Sequence, residues 1–186
     1  MARKAKTGLD QITTVQLLRC HYFFIAAYIG SIVVFDMWNL IAREAIGRRW
    51  LAAGLLLIVN TAAWYVSKLH HKRQGVFQLM LLGVILADII FVAMNVYWER
   101  GMASNSVALF AVPLIMTAAL KSRSALIAVA SLCSAAYGIA AVGYFFDNYG
   151  EGFRVELYGT VGFSVAIFFI LAGLLLAITK PPKESP

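Results

Sequence analysis

The chain has 186 residues, of which 61% are apolar and 13% charged, with a mean hydropathy of +0.78. Soluble domains carry roughly twice that share of charge, so the composition is that of a multi-pass membrane protein, and six spans of about 20–25 residues would use nearly the whole length. No soluble catalytic domain fits beside them, and the net charge of +7 sits in short stretches between apolar runs, where it reads as topology signal and contact with anionic headgroups and not as a nucleic-acid surface.

Residues 1–16 open the chain with Arg3, Lys4 and Lys6 and are expected to form a basic cytoplasmic segment. The first apolar run, 17–41, leads through Asp36 into another span and therefore reads as a retained helix and not a cleaved signal. It carries His21 near its expected cytoplasmic end and Tyr28 at its centre. After the basic break Arg43 to Arg49 comes a second run, 50–69, with Asn60 in its middle. The three arginines of that break are unusual for an outer loop, and a short amphipathic segment on the membrane surface would account for them. His70 and His71 follow in the basic run Lys68 to Arg73. Adjacent histidines in such a loop are ordinarily solvated, and no haem or metal site and no cofactor is expected.

The third run, 76–98, holds Asp88 and, seven residues on and so on the same helical face, Asn95. Asp88 lies twelve residues past Val76, Asn60 ten past Trp50 and Tyr28 eleven past Leu17. These positions share a depth near the bilayer midplane, where a carboxyl group must be protonated, paired or facing water. A ligand-binding cluster of Asp88, Asn60 and Tyr28, extended outward by Asn95 and Asp36, is therefore expected. Hydrogen bonding that simply joins the helices is the plainer alternative for the same residues.

The fourth run, 103–120, is the shortest and contains Pro113, which removes a backbone donor and bends a helix. Lys121 to Arg123 separate it from the fifth run, 124–146, where Ser131, Ser134 and Gly138 are small residues three and four apart that admit a close neighbour, in the chain or in a second copy. Asp147 to Glu156 form an acidic, glycine-bearing loop before the last run, 155–179. Pro181 and Pro182 then stop the sixth helix in the tail 180–186.

Six crossings with the N-terminus inside put eleven Lys and Arg residues in the cytoplasm and five outside, so both termini are expected to be cytoplasmic, in the inner membrane. Enzyme chemistry finds little support. No lysine lies deep enough for a retinal Schiff base, HExxH is absent, and Asp36 lies about a turn farther out than Asp88 would need for a carboxylate pair.

The stretch from Ser104 through Pro113 to Leu120, the hinge Lys121-Ser122-Arg123 and the small residues up to Tyr137 resemble the multi-pass N-terminal sensor region of bacterial membrane histidine kinases. That resemblance, over residues 80–179, implies signal reception in the membrane, dimerisation and a cytoplasmic signalling partner. The kinase part is not among these residues, so the chain is expected to be either the sensor region of something longer or a free-standing protein acting through a partner. All told, the sequence leads to an all-α, six-helix membrane bundle that senses or binds a ligand and is oligomeric. A proton- or ion-coupled transporter or channel subunit using Asp88 and a structural assembly subunit are the alternatives.

Overall fold

The computed structural model describes residues 11–40, 43–69, 74–149 and 155–179. The basic start of the chain, His70 and His71, Glu151, Arg154 and the tail from 180 lie outside them. The described chain is all-α, with helices α1 (Gln11–Met37), α2 (Arg43–Lys68), α3 (Gln74–Trp98), α4 (Ala111–Ala118), α5 (Arg123–Tyr149) and α6 (Val155–Thr179). Five of these, all but α4, are long and apolar enough to cross a membrane. Phe23, Ile139, Phe163 and Ile178 are 69–79% exposed, an outward apolar surface that water would penalise and lipid accepts. Length and surface together point to a multi-pass membrane protein.

Two compact units divide the chain, one ending at Phe91 and the other beginning at Val92, so that α3 contributes to both. In the N-terminal unit α1 buries Thr14, Leu18, His21, Ile25, Tyr28 and Ile32. These alternate in steps of three and four, the repeat of a coiled-coil seam. The facing stripe on α2 is Ile46, Arg49, Ala52, Ala53, Leu56, Asn60, Ala63 and Ser67. The two helices run antiparallel: Gln11 Nε2 donates to the Ser67 carbonyl at 2.8 Å, Tyr22 to Thr61 Oγ1 at 2.9 Å, and at the far end the Arg49 guanidinium lies 5.3 Å from the Phe35 ring centre. α1 ends in a Schellman motif, with Asn39 left-handed (φ 50°), its N–H on the Asp36 carbonyl and the Leu40 N–H on that of Phe35.

Two boundaries in the N-terminal unit differ most from the sequence expectation. α1 starts at Gln11, six residues before the expected apolar run, because the Gln11 amide finds carbonyls at the end of α2. The break Arg43 to Arg49 is no loop but the first two turns of α2, with Glu44 in the first turn and Arg49 buried. An arginine whose planar head covers an aromatic ring fits inside a helix pair better than a bare charge does.

The C-terminal unit contains the end of α3, the 3-10 turn Gly101–Ala103, a 3-10 helix Asn105–Phe110, and α4 to α6. Tyr97 donates to Asp147 at 2.6 Å, tying the C-terminal end of α3 to that of α5. Arg100 and Gly101 are both left-handed (φ 79° and 62°) and reverse the chain there. A single oxygen, Glu99 Oε2, then accepts from Ser104 Oγ and Ser106 Oγ, both at 2.7 Å, and holds the reversal closed. Gly101 sits against Ala141 and Tyr144, whereas α5 begins at Arg123, eighteen residues away and about 27 Å along its axis. Residues 101–123 therefore run back along about two thirds of α5.

Pro113 breaks the hydrogen-bond ladder, and the preceding Asn105–Phe110 is wound as 3-10 helix, which rises about 2.0 Å per residue against 1.5 Å for α. Asn105–Ala118 thus extends about 24 Å, longer than an α-helix of equal length but short of a ~30 Å hydrocarbon core. The uninterrupted fourth helix expected over 103–120 is replaced by this composite. Ser122 caps α5 through its Oγ to the Ala125 N–H, and Phe110, Tyr137 and Phe168 pack edge to face or tilted at 5.2–6.3 Å as the aromatic centre of the unit.

Candidate functional site: a polar core in the N-terminal unit

Asp88, on α3, is fully buried, as is Asn60 on α2, and His21 on α1 is 3% exposed. Side chains of this kind are rare at such depth unless they meet one another. Here they do. Asn60 Nδ2 donates to the Leu18 carbonyl at 3.2 Å, His21 Nδ1 lies 3.1 Å from Asn60 Oδ1, and His21 Nε2 lies 3.0 Å from Asp88 Oδ1. The last contact has ion-pair distance without the alignment of a hydrogen bond, and Asp88 Oδ2 has no hydrogen-bond partner among the described residues.

Helix length places this core. His21 is ten residues from the start of α1, Asn60 eight from the end of α2 and Asp88 fourteen from the start of α3, and these termini all lie at the same end of the unit. At 1.5 Å per residue the three side chains are about 12–21 Å from that end, well inside helices of about 40 Å. The surroundings are apolar: Leu18, Ile25, Leu56, Val84, Ile85 and Ile89 are all buried. Arg19 and Cys20, the residues flanking the histidine on its N-terminal side, are exposed.

The expected cluster is therefore formed in part and with a member that was not expected. Asp88 and Asn60 do converge, but His21 stands between them. Its placement at the cytoplasmic end of the first span followed from starting that span at Leu17, and the earlier start of α1 carries it inward. Tyr28 is buried two turns farther along α1, its ring 4.7 Å from that of Phe91 in a T-shaped contact. Asn95 is fully buried two turns beyond Asp88 on α3. Asp36 is exposed in the last turn of α1, away from the core. Among the described residues no group of three or more His, Cys, Asp or Glu is placed to hold a metal ion.

Of the small residues on α5, Ser131 is exposed and Ser134 half-buried, each hydroxyl returning to the carbonyl four residues back. A methyl group added at Gly138 would meet nothing within 4 Å. The row faces away from the helices of its own unit, which use Leu126, Val129, Ala130, Cys133 and Tyr137 instead. Compared with known protein families, curated proteins and solved structures, the chain matches none of them.

Proposed function

We propose that the chain is a membrane-embedded sensor or ligand-binding module without a catalytic domain of its own, and that the His21–Asn60–Asp88 core is its receiving element. One observation carries this reading: a fully buried carboxyl group, 3.0 Å from a histidine, keeps an oxygen without a partner. Helix joining alone would favour a fully satisfied network, because an unpaired polar atom at that depth costs about 1–3 kcal/mol. The closed surroundings of the core favour sensing over conduction. The likeness of residues 80–179 to kinase sensor regions supports the same class, and the open row at Ser131 and Gly138 is the surface we assign to a second copy.

We place both termini in the cytoplasm. If residues 101–123 cross the membrane with the other five segments, Lys and Arg divide eleven inside to five outside; if they do not, the division is eight to eight and the asymmetry vanishes. The passage of these residues along α5 supports the first topology. Reporters fused at Met1 and at Pro186 should then lie on the same side, and finding them on opposite sides would remove the six-crossing arrangement.

The functional test compares wild type, Asp88→Asn and Asp88→Leu in liposomes. A sensor shows no proton or ion flux in any of the three, while amide hydrogen exchange along α1 to α3 differs between wild type and the folded Asp88→Asn protein. Flux in wild type that the asparagine abolishes would make the protein a transporter. Unchanged exchange with no flux would leave only an assembly role.

A further inference from the structure

One hydrogen bond and one close approach in the core count its protons. Asn60 is oriented by its Nδ2, which donates to the Leu18 carbonyl, so its Oδ1 is the atom turned to His21 Nδ1 at 3.1 Å. A carbonyl oxygen only accepts, and Nδ1 therefore carries a hydrogen whatever the charge of the ring. On the other side Nε2 and Asp88 Oδ1 are 3.0 Å apart. Two bare lone pairs repel at that distance, and two hydrogens cannot occupy the space between them. One proton remains, either on Nε2, as imidazolium against carboxylate, or on Oδ1, as acid against neutral ring.

We infer that His21 and Asp88 together are a single-proton site whose ligand is the hydrogen ion, with Asn60 as the positioning residue that sets the tautomer of His21. The inference rests on the proposed function and names its ligand. In both arrangements the pair has zero net charge, which suits an apolar interior. Among the described residues no other charged group faces it from the packed helices: on α1 the nearest, Arg19, is exposed; on α2 the stripe around Asn60 is Leu56 and Ala63; and on α3 Asp88 is the only ionisable carboxyl or basic group between Gln74 and Trp98. Loss of the proton leaves one negative charge, and arrival of a second leaves one positive charge, with hydrogens on Nε2 and on Asp88. The unpartnered Oδ2 is the atom that receives that second proton. Either change puts a net charge among apolar side chains and so must be answered by movement of α3 against α1 and α2 or by entry of water. Such a response is what converts proton binding into a conformational signal.

The test uses the full chain in lipid nanodiscs with His70→Gln and His71→Gln, so that His21 is the only histidine, labelled with 15N. Ring-nitrogen shifts report the tautomer and the fraction of imidazolium. The infrared carboxylic-acid band that is lost in Asp88→Asn reports the fraction of protonated Asp88. The expected result near neutral pH is hydrogen on Nδ1 in all molecules and two fractions that add to one. Asn60→Leu should release the tautomer, so that hydrogen also appears on Nε2 of neutral rings. Fractions adding to zero or to two, or a neutral wild-type ring with hydrogen on Nε2 alone, would overturn the inference. These readouts need no variant to retain signalling. A single-proton pair whose removal leaves hydrogen exchange unchanged would instead remove the sensor reading and leave the proton site standing.

Discussion

Leucine at His21 is expected to destabilise the N-terminal unit by about 3–5 kcal/mol, the usual range when one partner of a buried pair is removed. The change leaves Asp88 without its neighbour and Asn60 Oδ1 without a donor in a fully buried seam. Removing both partners should be milder than the sum of the single changes. In His21→Leu/Asp88→Leu only the Asn60 oxygen is left behind, and the coupling between the two sites should reach roughly 0.5–3 kcal/mol. Asparagine at Asp88 should be tolerated best of all, since its amide can donate to Nε2 while Nδ1 stays on Asn60. Unfolding in mixed micelles followed by circular dichroism gives all three values. Additive single and double variants would show that the 3.0 Å approach carries no energy.

Alanine at Gly101 should destabilise the C-terminal unit, and alanine at Gly138 should not. At Gly101 the backbone is left-handed (φ 62°), and an added Cβ would stand 3.1 Å from the Ala141 carbonyl oxygen and from Tyr144. The conformation alone costs about 1–2 kcal/mol for a residue with a side chain, and crowding against α5 adds roughly 1–3 kcal/mol. At Gly138 the helix is regular and the space open, so alanine should gain about 0.5–1 kcal/mol. The same unfolding measurement, made on each single variant, distinguishes them. Equal effects at the two positions would mean that residues 101–103 do not lie against α5.

Asp88 and Asn60 were legible in the sequence because each is a lone polar residue far from either end of an apolar run. His21 was not. The turns before it contain Gln11, Thr13, Thr14 and Gln16, which read as a polar lead-in, and what makes them helical is tertiary: Thr14 is buried, and Gln11 reaches the end of α2. A sliding view of hydropathy cannot see a partner fifty-six residues away. Reading the seam in steps of three and four backward from Ile32 would have reached Thr14 and placed His21 on the buried face. Arg49 was misplaced for a similar reason, since charge marks a boundary only when no aromatic ring covers it, while Arg43 and Arg48 are exposed in the first two turns of α2. Pro113 announced a disturbed fourth segment, but nothing in the local sequence announced the 3-10 winding of Asn105–Phe110 ahead of it. The membrane class, by contrast, was plain from composition, and α5 and α6 begin within one residue of the expected runs, although α5 continues to Tyr149, into the expected acidic loop.

The order of the three core residues along the chain has a bearing on biogenesis. His21 and Asn60 belong to α1 and α2, which are synthesised first and pair through a continuous seam, whereas Asp88 arrives with α3. A carboxylate at the centre of a lone inserting helix costs about 2.5–3.5 kcal/mol, and the many Leu, Ile and Val residues of α3 offset it at about 0.3–0.6 kcal/mol each. The acid therefore enters a bilayer in which its acceptor ring is already held in one tautomer by Asn60. Had the order been reversed, the charged helix would wait in lipid for two later segments. As built, the ribosome delivers the proton site's most demanding member last.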